Sequence, residues 1–392
     1  MLFHLNQKLF LSYILLFFFS YIFHSNYIVC KSNLIIDKLK SKVEISQINR
    51  TISALQLEAN DPCEDKYFIQ EINISNSTGY IMSIFDGHGG WILSQYANLL
   101  FYPYFFEELN SKNISDLEEE QKIIYSLKKT FVRIEEEFKL ISFSKNYEGN
   151  KKFKNLGTCA LVALIINNKL YTANLGDSKA ILLSKNNKEK NENYEFKKVS
   201  KIFNCRKKEE QKRLKEKWSN MKDIYKCKRE KVCYVKGRLQ PTSSLGDYYL
   251  KSPFYNIDSK KLFDDEYINN SLSKYEGPFI ISEPDIKIFE LTSKDKYLVM
   301  GSDGLWDYLN SKEIVQLTKN FLEKEYKYFE ENNILENSDI IAFGLMEKVI
   351  DKSAKKYGSN SLDILDMKSG KKLRRIHDDI TIIVCDLFKI SK

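Results

Sequence analysis

Histidine is nearly absent from this sequence: there are four in 392 residues, and two of them, His4 and His24, fall in the first 24. Chemistry that needs several imidazoles around one metal is therefore excluded. Six prolines and 15 glycines are too few for a collagenous or low-complexity chain. The seven cysteines (30, 63, 159, 205, 227, 233 and 385) form no CxxC pair and are odd in number, which argues against zinc and gives no disulfide framework. Cys159 and Cys385 lie in apolar runs and read as small core residues. A net charge of +8 comes from 61 basic and 53 acidic residues in mixed runs without interleaved aromatics. A solvated surface fits that pattern, and nucleic-acid binding does not.

Long apolar runs are scarce as well. The one uncharged stretch, Leu9 to Phe23, has the length of a signal-peptide core or a marginal signal-anchor. It leads to an expectation of secretory-route or membrane-associated localisation through a leader over residues 1–30. The alternative is an organelle (mitochondrion or plastid) reached by a bipartite signal, because the Lys/Asn-rich stretch follows. Sequons at Asn49, Asn73, Asn76 and Asn113 are compatible with a secretory route. Residues 31–54 read as a polar linker, and 55–392 as one domain with charged inserts near 186–193 and 206–231. With 43% hydrophobic and 29% charged residues, that domain can bury a sizeable core.

Within it, Tyr67–Ile74 and Tyr80–Phe85 read as paired strands, followed by helices over about 91–109 and 117–143. The second helix repeats apolar residues through Ile124, Leu127, Phe131, Ile134 and Phe138. Strands are expected at 157–166, 169–174, 180–183, 279–282, 286–291, 297–302 and 380–385. Between them, 206–231 reads as a charge-dense helix with a basic tail. Two later helices start at Asn310, with a capping-box Glu313, and at Asn337, the latter stopping at Gly358. Strands clustered in hairpins and segregated helices predict an α+β fold.

Acidic residues recur where strands begin or end. Ile84-Phe85-Asp86-Gly87-His88-Gly89-Gly90 ends one strand, Glu64-Asp65 precedes another, and Gly176-Asp177-Ser178 joins two. Gly301-Ser302-Asp303-Gly304-Leu305-Trp306-Asp307 and His377-Asp378-Asp379 follow the same rule. A single Asp-Gly is most often only a turn. Five such motifs, two of them carrying the two histidines outside the leader, predict a hard-cation site for Mg2+ or Mn2+, which favour oxygen ligands.

These motifs, with Gly237-Arg238-Leu239-Gln240 through Leu245-Gly246-Asp247, resemble in order those of the metal-dependent protein phosphatase (PPM, protein phosphatase 2C) family, from about residue 55 to the C-terminus. Asn60 to Asp65, Leu239 to Thr242 and Glu283-Pro284-Asp285 are most similar to the pyruvate dehydrogenase phosphatase type. The resemblance implies an antiparallel β-sandwich of two sheets flanked by antiparallel helix pairs. It also implies a monomeric serine/threonine phosphatase that acts on phosphoproteins by direct attack of a hydroxide bridging two Mg2+ or Mn2+ ions. Carried over, Asp86 bridges the ions, Glu64 and the Gly87 carbonyl complete one shell, and Asp303 and Asp378 complete the other. Asp177, Asp303 and Asp307 make a third, weaker site, and His88 is the general acid. The family's phosphate-binding arginine is Asn60 here, which the resemblance makes the expected phosphate-binding residue of this chain. The arginine usual before Gly246-Asp247 is Ser243, and a usual Asp-His pair appears as Ile202-Phe203. Asn60 and Ser243 motivate a rival reading, a pseudophosphatase serving as a phosphoprotein scaffold. A small-molecule or polysaccharide phosphohydrolase using the same chemistry is a third.

Overall fold

The computed structural model describes residues 38–148, 150, 152–186, 193–229, 232–256, 265–325 and 335–390. Its strands are β1 Glu44–Ile48, β2 Ile52–Leu57, β3 Lys66–Ile74, β4 Ser77–His88, β5 Gly157–Ile166, β6 Lys169–Leu175, β7 Lys179–Asn186 and β8 Asn193–Lys198. They continue with β9 Tyr225–Arg229, β10 Val232–Val235, β11 Leu245–Gly246, β12 Asp285–Glu290, β13 Asp295–Gly301 and β14 Ile380–Asp386. The longer helices are α1 Ile92–Leu109, α2 Glu119–Tyr147, α3 Lys208–Lys217, α4 Ser311–Asn320 and α5 Asn337–Tyr357.

Two antiparallel sheets stack face to face. One runs β1-β2-β14-β13-β7-β8 and the other β12-β6-β5-β4-β3, with β11 on β5. The period of two along each strand divides its side chains between two cores. In β14, Ile383 and Cys385 point between the sheets, while Ile382 and Val384 face α5. In β4, Met82 and Ile84 face the opposite sheet, while Ile81 and Phe85 meet α1 and α2. Both faces being covered, these strands read as continuous apolar runs instead of alternating ones. The result is the expected α+β sandwich between helix pairs.

Helix α2 buries Ile123, Leu127, Phe131, Ile134 and Phe138, so its stripe begins one residue before the expected Ile124. Asn310 caps α4, its side chain accepting from the Glu313 N–H while Glu313 Oε2 accepts from the Asn310 N–H. Gly358 ends α5 at φ 67°, as an αL terminator does.

Several expectations are corrected. The segment 31–54 is not all linker: β1 and the first half of β2 lie in it, and β2 pairs with β14 inside a sheet. The charge-dense 206–231 stretch is helical only over α3. Past Trp218 it becomes β9, hairpinned to β10 and closed by a Cys227–Cys233 disulfide, a pairing the scattered cysteines had not suggested. Residues 279–282 make an isolated bridge from Ile281 to Ser243 in place of a strand. Secretory, membrane or organelle localisation is withdrawn. It rested on the leader, which lies outside the described residues, and among the described residues no helix is long and apolar enough to cross a membrane. Most of the 186–193 insert also lies outside them.

Candidate metal centre

Ends of strands from both sheets meet at one rim of the sandwich. β4 is 12 residues long, and its last residues still pair with β5, Asp86 opposite Cys159 and His88 opposite Gly157. The ladder thus fixes Asp86 and His88 rather than leaving them on a free turn. The β6–β7 turn brings Asp177, the one-turn helix Asp303–Trp306 after β13 brings Asp303, and the segment before β14 brings Asp378. Carboxylate oxygens of Asp86, Asp177 and Asp303 all lie within 4.8 Å of one another. The Asp303 N–H donates to Asp86 Oδ2 at 3.2 Å.

Such a group repels itself. Burial pushes the carboxyls of Asp86 and Asp303 well above the usual carboxylate range, and neighbouring carboxylates add to it, Asp303 first for Asp86 and Asp378 first for Asp303. Glu64 and Asp378 are raised as well, chiefly by burial and in part by Asp379. A divalent cation relieves both penalties by replacing lost hydration and neutralising like charges. The all-oxygen donor set and its mutual repulsion therefore fit a hard cation.

Asp379 points away from this group. Its Oδ1 accepts from the N–H groups of Ala59 (2.6 Å) and Asn60 (2.8 Å), and its Oδ2 from the Glu64 N–H (2.7 Å) and the Asn60 side-chain amide (2.9 Å). One carboxylate thereby folds the 59–64 loop and sets Glu64 at the rim. Gly87 lies against that loop. A Cβ there would collide with the Glu64 carbonyl oxygen and come within 2.8 Å of Ser94 Oγ, so the backbone needs glycine at this point.

His88 meets a partner that the sequence reading had left without a role. Its Nε2 lies 2.7 Å from Oδ2 of the fully buried Asp247, which also accepts from Ser244 Oγ at 2.7 Å. Asp247 sits at φ 52°, held by its N–H donating to the Leu156 carbonyl. Burial alone would lower the imidazole's pKa; the Asp247 carboxylate overrides it, and the pKa is raised. Gly157 makes room for the pair, since a Cβ there would overlap both side chains.

Asp307 stands apart from the tight group and takes Arg206, Nη1 to Oδ1 at 3.2 Å. The Asn204 side-chain amide donates to Asp177 Oδ2 at 2.5 Å, and Cys159 Sγ donates to Asp177 Oδ1 at 3.2 Å. Neither Asn204 nor Arg206 carried a motif signal. Lys179 is buried over the Trp306 ring, 4.0 Å from its centroid, and donates to Ser311 Oγ; burial lowers its pKa to about 8. The two expected vacancies are occupied by struts. Asn60 holds Asp379, and Ser243 Oγ accepts from the Gly176 N–H at 2.9 Å. His377 is buried with Nδ1 2.6 Å from the Asp378 carbonyl, a support for that segment.

Known proteins resemble this chain over most of its length. The family model described as protein phosphatase 2C matches residues 56–357. The Arabidopsis thaliana protein named probable protein phosphatase 2C 63 is 29% identical over 330 residues, spanning 84% of this chain and 78% of that protein. Probable protein phosphatase 2C 78 of Oryza sativa subsp. japonica is 27% identical over 83% of this chain and 74% of its own. A solved serine-threonine phosphatase 2C from Toxoplasma gondii shares the fold, with a TM-score of 0.54 at 12% identity, covering 88% of this chain and 97% of that one. The chain belongs to the protein phosphatase 2C family, the metal-dependent phosphatases of phosphoserine and phosphothreonine in proteins.

Proposed function

We propose that this chain's own phosphatase activity runs through Asp86, with Glu64 and the Gly87 carbonyl on one side and Asp303 and Asp378 on the other, holding two divalent cations. Asp177, Asp303 and Asp307 hold a third, weaker one. The all-oxygen set supports Mg2+ or Mn2+. The observation that carries the proposal is the convergence of Asp86, Asp177 and Asp303 within 4.8 Å, two residues along the chain from a histidine paired with a buried aspartate. When bound, the ions supply a nucleophile from water at neutral pH and charge stabilisation for an in-line displacement at phosphorus.

The protein's part is proton handling and placement. With Nε2 donating to Asp247, the imidazole is fixed in orientation, and Nδ1 is the atom that carries the proton to the departing serine or threonine oxygen. Asp247 is a positioning residue that stabilises the protonated ring, and Asp379 places Glu64. The substrate is a phosphoprotein. The finer likeness to the pyruvate dehydrogenase phosphatase type is supported by Asn60 at the loop and by the Leu239–Thr242 and Glu283–Asp285 segments.

The test is phosphate release from phosphoserine and phosphothreonine peptides by the full chain in Mn2+, with chelator, and by the Asp303→Asn and His88→Ala variants. Release that chelator abolishes and Asp303→Asn cuts by two orders of magnitude or more supports the reading. Failure of the wild type on every phosphopeptide, or undiminished release by Asp303→Asn, overturns it.

A further inference from the structure

Asp378 and Asp379 are neighbours in sequence and divide two tasks. Asp379 faces the 59–64 loop and takes Asn60, the residue that stands where the family resemblance places a phosphate-binding arginine. Asp378 takes a real arginine: Nη2 of Arg374 lies 2.5 Å from its Oδ2. Arg374 belongs to the short 3-10 turn Leu373–Arg375, one turn ahead of the motif. Its side chain is 45% exposed, so the guanidinium is at the surface of the rim rather than under it. Its charge also acts on Glu64, lowering that carboxyl's raised pKa. Arg374 and the Asn60 side chain thus attend the same Asp378–Asp379 pair.

The other cations near the cluster are differently committed. Arg206 is at Asp307, with Nε also donating to Asn204 Oδ1 at 3.3 Å. Lys179 is buried on Trp306 and Ser311. A guanidinium has five N–H donors in a planar fork suited to two oxygens of a phosphoryl group. The contact to Asp378 engages one terminal nitrogen of that fork.

We propose that Arg374 binds the phosphoryl group of the substrate, taking over from a different element of the fold the role that Asn60 cannot fill. The proposal rests on the phosphatase reading above. A phosphoprotein bound this way presents its phosphate between the carboxylate rim and the 3-10 turn, so residues flanking the phosphorylated side chain pass over the 367–376 segment.

The experiment uses the full chain, Arg374→Ala and Arg374→Lys, with three readouts: kcat and KM on one phosphopeptide, calorimetric binding of inorganic phosphate to the Mn2+-loaded protein, and Mn2+ affinity. Loss of a charge-assisted contact predicts a rise of about 10- to 100-fold in KM and in the phosphate dissociation constant for the alanine variant. The lysine variant, with charge but no fork, falls between, and Mn2+ affinity is unchanged or tighter because a cation beside the site is gone. If phosphate affinity and KM of both variants stay within twofold of wild type, or weaken only in step with lost Mn2+ affinity, Arg374 is merely a counter-ion of Asp378 and the proposal fails. A wild type that binds phosphate in an Arg374-dependent way but releases none from peptides would instead refute the phosphatase reading.

Discussion

Replacing Asp379 by asparagine removes one charge and one acceptor and leaves the shape. In the wild type each carboxylate oxygen accepts two donors, Ala59 N and Asn60 N on one side, Glu64 N and Asn60 Nδ2 on the other. An asparagine keeps only one oxygen; its NH2 faces the second pair of donors and repels them. Two charge-assisted hydrogen bonds are lost, each worth about 1.5–3 kcal/mol, and the surviving two weaken to neutral strength. Asn60 and Glu64 are only partly buried, so water recovers part of the loss, and about 2–4 kcal/mol is the expected destabilisation. Urea unfolding in metal-free buffer reads it as a lower midpoint at unchanged slope. Because the same loop carries Glu64, Mn2+ affinity falls in parallel. Were Asp379→Asn to unfold within about 1 kcal/mol of wild type and bind Mn2+ as tightly, the loop would have another anchor and the reasoning would be wrong. The pH dependence has a definite sign. Burial alone would raise the Asp379 carboxyl, but the Asn60, Ala59 and Glu64 donors outweigh it and hold it below the ordinary value. Its stabilisation is therefore complete above the unfolded-state carboxylate pKa and drains away as pH falls through the lower folded one.

Gly87→Ala, whose new methyl would strike the Glu64 carbonyl oxygen, should leave a folded protein by circular dichroism with Mn2+ affinity reduced about 10- to 100-fold. Adding Mn2+ at 100 times its dissociation constant should stabilise the chelated protein by about 2.7 kcal/mol in urea unfolding, and Asp303→Asn should lose most of that gain. Ile383→Ala, which empties a site between the two sheets, should lower unfolding free energy by about 2–5 kcal/mol without touching the metal titration. Cys227→Ser opens a short loop with a sequence separation of 6. Chain entropy predicts about 2 kcal/mol of lost stabilisation, read as faster proteolysis of the β9–β10 hairpin.

The strands were legible because the sandwich buries both their faces, which turns β5, β13 and β14 into unbroken apolar runs. β1 escaped notice for the opposite reason: its Glu44, Ser46 and Gln47 lie at a sheet edge and look like linker. In the 206–231 stretch mixed charge hides the change of backbone, since a solvated helix and a solvated hairpin share the same lysines and glutamates. The carboxylates were legible because each sits at a strand end. Their supports were not, since Asp247 reaches His88 across 159 positions and Asp379 reaches the Asn60 loop across 319; proximity of that kind is a product of the sheet order.

Those supports explain why so much negative charge is tolerated at one rim. Asp379 is satisfied by four N–H donors; Asp247 takes Ser244 and His88 on Oδ2, its buried Oδ1 having no partner among the described residues; Asp307 takes Arg206 and Asp378 takes Arg374. What the protein leaves least compensated is the inner pair: among the described residues Asp86 and Asp303 gain one backbone donor between them, and both carry strongly raised pKa values. Had the fold been selected for stability alone, a buried neutral residue at either position would serve better than a second repelling carboxylate. The compensation missing from the polypeptide is two or more positive charges at one place, which is what a divalent cation supplies. Removing Arg206 or Arg374 and removing Asp303 should accordingly have opposite effects on metal affinity, the arginine variants binding Mn2+ as well or better and Asp303→Asn binding it far worse.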